Sequence, residues 1–176
     1  MVSDVAREYA RAVDARVLAS VPPLPSTPAA LYDSIRTALM DASNERLIAS
    51  GPHDVARLLR PKHHRLPRHG FVQIDGGTDA EPFIRMSDGA AFNFGVTVEY
   101  RAPGGARLVS FRYQLQYRRD ASPPFLRFDL NPCPHVDPVR EPQSHIHPGH
   151  DDIRCPFPLM APLEMMGFLI HGCRMP

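Results

Sequence analysis

Lysine is nearly missing from this chain: among 20 basic residues only Lys62 is not an arginine, and it lies within Arg60-Pro61-Lys62-His63-His64. A P-loop needs its lysine directly after a glycine-rich turn that cradles phosphate, so that class of nucleotide binding is excluded. The same scarcity weighs against a Schiff-base lysine and against the strand-borne lysine of restriction-type nucleases. Cysteine is sparse as well. Cys133, Cys155 and Cys173 are odd in number and form no CxxC pair, which fits reduced thiols better than a disulfide framework and leaves a zinc ribbon without support. Cys155 and Cys173 read as small buried residues. No stretch of about 18 apolar residues is present to cross a membrane, and Met1-Val2-Ser3-Asp4-Val5-Ala6-Arg7-Glu8 carries charge where a secretory signal needs an apolar run. The expectation is a cytoplasmic protein with no membrane partner. A GxSxG elbow, a glycine-rich dinucleotide loop and an HExxH helix are also missing, so serine-hydrolase and Rossmann-oxidoreductase chemistry lack support. A net charge of +1 supplies no global field, and any anionic partner must be recruited by a local cluster.

What is present predicts one α+β domain, with N-terminal helices, an antiparallel β-sheet around a central hairpin at about 91–118, and a C-terminal helix. The expected parts are a helical region (1–60), a basic connector (61–70), the sheet (71–130), a histidine-rich loop or strand segment (131–159) and the last helix (160–172). Val2, Val5, Tyr9, Val13 and Val17 recur at helical spacing. A second helix starts at Ser26 or Thr27 with Pro28 at its first position; Leu31, Ile35, Leu39 and Leu47 form its stripe, and Gly51-Pro52 ends it. A short helical piece follows at Asp54 to Leu59. From Phe71 the period changes to two. Phe92, Phe94, Val96, Val98 and Tyr100 form one apolar set, and Val109, Phe111, Tyr113, Leu115 and Tyr117 form another; Ala102-Pro103-Gly104-Gly105 joins them as a hairpin. Phe125 to Leu130 is a third strand, with Leu126, Phe128 and Leu130 on one face and Arg127 and Asp129 on the other. Phe71 to Asp75 and Phe83 to Met86 are weaker candidates. Pro162 early in a run through Leu163, Met166, Phe168, Leu169 and Ile170, with Gly172 as its stop, marks the last helix.

Four of the 9 histidines fall between Asn131 and Asp152. If Ser144 to His147 is extended, His145 and His147 share a face, because strand side chains repeat every two residues. Two imidazoles on one face begin a metal site, and His150, Asp151 or Asp152 could return from the Pro148-Gly149 turn to add a ligand. Cys133 and His135 have the same spacing and could close a four-ligand structural site. A solvated turn is the plainer alternative. The string His145-x-His147-Pro148-Gly149 resembles the first metal motif of cupins, which implies two histidines and a later carboxylate around a metal in a β-barrel. The likeness is confined to that string: the further strands and second histidine motif of a cupin are replaced by a helix from Pro162. The spacing of His145, His147 and His150 is similar to the metallo-β-lactamase motif, but Gly149 stands where that motif has aspartate.

A second group is the polar face of the sheet, with Glu99, Arg112, Gln114, Gln116, Arg127 and Asp129; a solvated face explains it most simply. Should the His145 segment lie beside the third strand, Asp129 and Arg127 would join the histidines. Imidazole as acid, base or ligand, arginine against developing negative charge and a carboxylate for orientation or metal suit phosphoester chemistry. The expected function is therefore a small hydrolase of a phosphoester, in its narrower form a nuclease of bacterial toxin or defence type. Its catalytic residues would be His147, Asp129 and Arg127, and its zinc or manganese ligands would come from His145, His147, His150, Asp152 and His135. Arg60, Lys62, Arg65 and Arg68 would contact a nucleic-acid backbone. The arginine-, alanine- and proline-rich composition matches a bacterium of high genomic G+C. The alternatives are a metal-stabilised module that pairs with a protein through its sheet edge, or a small-ligand binder.

Overall fold

The computed structural model describes residues 5, 8, 11–12, 24–65, 69–77, 84–101, 105–118, 120–131 and 143–173. The architecture is α+β, with helices at both ends of an antiparallel sheet. Most of the expected first helix lies outside the described residues. Its member Val5 is helical but exposed.

Helix α1 (Pro28–Asn44) begins where sequence places it: Thr27 Oγ1 accepts the Ala30 N–H at 3.1 Å, and Pro28 needs no hydrogen-bond partner at the first position. Leu31, Ile35, Leu39 and Ala42 are its buried stripe. The helix stops earlier than expected. Arg46 takes a left-handed conformation (φ 61°), the Leu47 N–H reaches back to the Ala42 carbonyl at 2.8 Å, and Leu47 packs on the core from outside the helix. Helix α2 (Pro52–Leu58) starts at the proline rather than at Asp54.

Leu59 already belongs to the sheet. Strands β1 (Leu59–Arg65), β2 (His69–Gly76), β3 (Ile84–Arg85), β4 (Ala91–Arg101), β5 (Gly105–Gln116), β6 (Phe125–Leu130), β7 (Ser144–Pro148) and β8 (Cys155–Pro156) run in the order β1-β2-β4-β5-β6-β7-β8, and β3 pairs with β4. The expected basic connector is thus wrong. Residues Leu59–Arg65 pair antiparallel with His69–Gly76, and Pro61 is accommodated because β1 ends the strand order, where a missing N–H breaks no inner ladder.

The hairpin pairs Phe92 with Leu115, Phe94 with Tyr113 and Val96 with Phe111, all six buried. Its turn, 102–104, lies outside the described residues. Beyond Thr97 the register slips by one: Val98 faces Leu108, and Val109 is left half-buried between. Such a bulge inverts side-chain parity past the extra residue. Leu108 therefore replaces Val109 on the apolar face, and Arg107 falls opposite Glu99, with Nε 3.2 Å from Oε2. Strand β5 ends at Gln116, so Tyr117 packs on the core beyond it.

One hydrophobic core joins Leu31, Ile35 and Leu39 to Phe92, Tyr113, Leu115 and Phe128 and to Met165, Met166 and Leu169 of the C-terminal helix. Each large apolar side chain buried there contributes about 1.5–3 kcal/mol. That helix is α3 (Pro162–Gly167), continued by a π-helical turn at Phe168–Gly172. The buried Tyr113 hydroxyl donates to the Pro162 carbonyl at 3.0 Å and pins the helix start to the sheet. Phe168 is half-exposed and lies edge-on to Phe128. No helix among the described residues is long and apolar enough to cross a membrane.

Candidate metal and catalytic site

Strand β7 forms as the alternation of Ser144 to His147 requires, and it pairs with β6 so that Asp129 stands opposite His145 and Arg127 opposite His147. Phe128 and Ile146 point to the other face, which leaves the two imidazoles and the two charged groups together on the polar side. These histidines are not in a partly exposed turn. His145 is 2% and His147 1% exposed, so they sit in the sheet interior.

Asp129, His145 and His147 each offer one ligand atom, and these atoms lie within 4.8 Å of one another. His147 Nε2 is 3.3 Å and His145 Nε2 3.9 Å from Asp129 Oδ2. A tetrahedral zinc with bonds of about 2.1 Å separates its ligand atoms by about 3.4 Å, so a small inward rotation of the rings would close the set. Buried His147 Nδ1 has no hydrogen-bond partner in normal geometry. The proton affinity of His147 is lowered, first by burial and then by the Arg127 charge, against smaller opposing effects of Asp129 and the His150 backbone. At neutral pH the ring is therefore uncharged, the form that binds a metal or accepts a proton.

Arg127 is committed locally. Its Nε donates to Asp129 Oδ2 at 2.8 Å, with both side chains about 15% exposed or less, and a terminal nitrogen donates to Asp151. The Asp151 carboxyl is held below the usual carboxylate range, chiefly by that hydrogen bond and then by the Arg127 charge. Arg127 thus positions Asp129 before it can meet any ligand. Exposed Arg112, opposite Asp129 on β5, faces the same cleft without an ion pair to it in this structure.

Two expected ligands fall away. His150 and Asp152 are exposed; they lie 3.7 Å apart, and the Asp152 N–H donates to His150 Nδ1. The cause is Gly149, whose φ of +81° turns the chain, with Pro123 and Pro124 packed where a side chain would stand. His135 and Cys133 lie outside the described residues, as does Arg68. Arg60, Lys62 and Arg65 are carried by edge strand β1, well separated in the strand order from Asp129 and the histidines. Cys155 is exposed rather than buried, whereas Cys173 is half-buried and burial pushes its thiol up, away from thiolate chemistry.

The polar face is not a plain solvated surface. Asp75, Asn93, Glu99, His145 and His147 are buried on it. A cleft of about 610 Å³ lies among Gln73, Asp75, Asn93, Thr97, Ser110, Arg112, Arg127 and Asp129. The residues that sequence reasoning missed are Gln73, Asp75 and Asn93. Their one signal was the polar alternation of β2 and β4 against Gly95. No model of a known protein family matches the chain, and neither a curated protein nor a solved structure is significantly similar to it.

Proposed function

We propose that the chain is a small phosphoester hydrolase whose centre is Asp129, His145 and His147, holding a divalent zinc or manganese ion. One observation carries this reading: three ligand atoms lie within 4.8 Å of one another, two of them on buried imidazoles, and the third belongs to Asp129, which lines a polar cleft together with Arg112 and Arg127. A bound divalent ion would polarise a phosphoryl oxygen and lower the pKa of a coordinated water. Arg127 holds the Asp129 carboxylate in place, and Arg112 offers its guanidinium to the phosphate. The narrower form of the proposal is a nuclease of bacterial toxin or defence type in the cytoplasm, with Arg60, Lys62, Arg65 and Arg68 along the nucleic-acid backbone.

A metal-free reading is favoured by one contact, the 2.8 Å bond from Arg127 to Asp129 Oδ2, which already neutralises the carboxylate. His147 would then act as the general base and His145 as the acid. Cleavage of RNA, single-stranded DNA and small phosphoesters, with and without chelator, separates the two. Activity lost to chelator and to His147→Ala supports the metal centre; activity that survives chelation supports the metal-free one. No cleavage of any substrate with added zinc or manganese would move the reading to a metal-stabilised interaction module that offers edge strand β1 to a partner.

A further inference from the structure

We infer that Asp151 holds the place of a substrate's terminal phosphate: the seat lies on the guanidinium groups of Arg127 and Arg112, and a phosphomonoester enters it by displacing the chain's own carboxylate. The inference names the substrate of the hydrolase reading and rests on that reading for catalysis, though not for binding.

Strand register builds the seat. Arg112 stands opposite Asp129 on β5, Arg127 precedes Asp129 by two residues on β6, and both arginines line the cleft. They are diagonal neighbours on one face, at about 7–8 Å, a gap that long side chains close. Beyond Arg127, strand β7 places buried His147 directly opposite it. The turn at 149–154 then leads to β8, whose Cys155 and Pro156 pair with Ile146 and His145, and this anchoring brings Asp151 within hydrogen-bond reach of Arg127. The Asp151 carboxyl, lowered first by the hydrogen bond and charge of Arg127, also feels Arg112.

The two carboxylates on Arg127 are not equivalent. Asp129 is 14% exposed and takes Nε, whereas Asp151 is 69% exposed and takes a terminal nitrogen. A buried pair is costly to break and an exposed one is worth little in water, so Asp151 is the partner that exchanges. A phosphomonoester carries between one and two negative charges at neutral pH against one for the carboxylate, and its oxygens accept from both forks at once. Its single ester link matters as well. Gly149 packs against Pro123 and Pro124, so the Asp151 side chain can swing away while the turn stays. A phosphodiester, with a chain on each side of phosphorus, would have to displace the turn too.

The test is equilibrium binding to the full chain in chelator, with phenyl phosphate, dimethyl phosphate and a single-stranded DNA with and without a 5′-phosphate. Phenyl phosphate should bind about tenfold or more tighter than dimethyl phosphate, the weight of one contact to a charged group. Asp151→Asn should tighten phenyl phosphate about 2- to 5-fold, the weight of an exposed ion pair. Asp152→Asn removes the same charge from the same turn, but from a residue beside His150 rather than Arg127, and should change nothing. Arg112→Ala, at an exposed position, should weaken phenyl phosphate about tenfold. Tighter binding of the phosphorylated DNA than of phenyl phosphate supports the seat and assigns it to a strand end; the reverse supports it for a small ester. Equal gains from Asp151→Asn and Asp152→Asn, no gain from Asp151→Asn, equal binding of monoester and diester, or no binding of any phosphate would overturn the inference. Binding in the expected pattern without cleavage in zinc or manganese keeps the seat and sinks the hydrolase. Cleavage of phenyl phosphate with the same KM in wild type and Asp151→Asn keeps the hydrolase and sinks the seat.

Discussion

Zinc added to chelator-stripped protein should raise its melting temperature, and the size of the rise follows from how far the ion exceeds its dissociation constant. An ion that binds only the folded chain stabilises it by about 2.7 kcal/mol at a hundredfold excess over its dissociation constant. For a domain of this length 1 kcal/mol moves the midpoint by about 2–4 °C, so the expected rise is about 5–11 °C. In the His147→Ala protein one of three ligand atoms is gone, and the rise should vanish. The variant loses the packing of a ring that is 1% exposed, but it also loses the unpartnered Nδ1. Its metal-free stability should therefore fall by only about 1–3 kcal/mol, and the fold should survive for the comparison. The pH dependence has a definite sign. In the folded chain His147 lies below the ordinary value of 6.5, with burial as the first cause. Its contribution to stability is then full above pH 6.5 and falls as pH drops from 6.5 toward the lower folded value, because the unfolded chain takes up the proton first. The zinc-induced rise should shrink over the same acidic range as protons compete for the imidazoles. Scanning calorimetry of both proteins, with chelator and with saturating zinc or manganese, decides the matter. Equal shifts in wild type and His147→Ala, or none in either, would refute the reasoning.

Arg127→Ala should cost about 2–4 kcal/mol in urea unfolding, a little under the usual loss for breaking a buried pair because Arg127 and Asp129 keep some solvent contact. Arg127→Lys should recover part of it, since a single ammonium cannot serve Asp129 and Asp151 together as the planar fork does. Tyr113→Phe should cost about 1–2 kcal/mol by chemical denaturation, leaving the buried Pro162 carbonyl without its donor at the start of α3. Replacing Arg60 and Arg65 with alanine should lower both RNA affinity and its dependence on salt without changing single-turnover cleavage of bound substrate. A filter-binding series at several salt concentrations checks the first effect.

Much of this fold was legible because its signals are local. Thr27 with Pro28 announces a helix start, and the alternation from Phe92 to Tyr100 announces a half-buried strand. The Ser144–His147 alternation also placed His145 and His147 on one face before any pairing was known. Strand β1 was hidden by its chemistry. Arginine, lysine, histidine and proline at nearly every position leave no apolar alternation to read, and pairing with β2 alone makes the segment a strand. His150 and Asp152 looked like ligands by spacing alone, and the positive φ of Gly149 turns them into solvent.

The sequence by itself therefore determined most classes of element, the apolar faces of β4 and β6 and that of β5 from Phe111 to Leu115, and the shared face of the two histidines, since periodicity depends only on neighbours along the chain. Tertiary structure alone decided what those faces meet. The bulge opposite Thr97 and Val98 that puts Leu108 inside and Arg107 on Glu99 depends on how two strands pair. So does the row Asp75, Gly95, Arg112, Asp129 and His145, drawn from five strands. Register is a property of two strands side by side, and a shift by one residue would send each of those side chains to the opposite face.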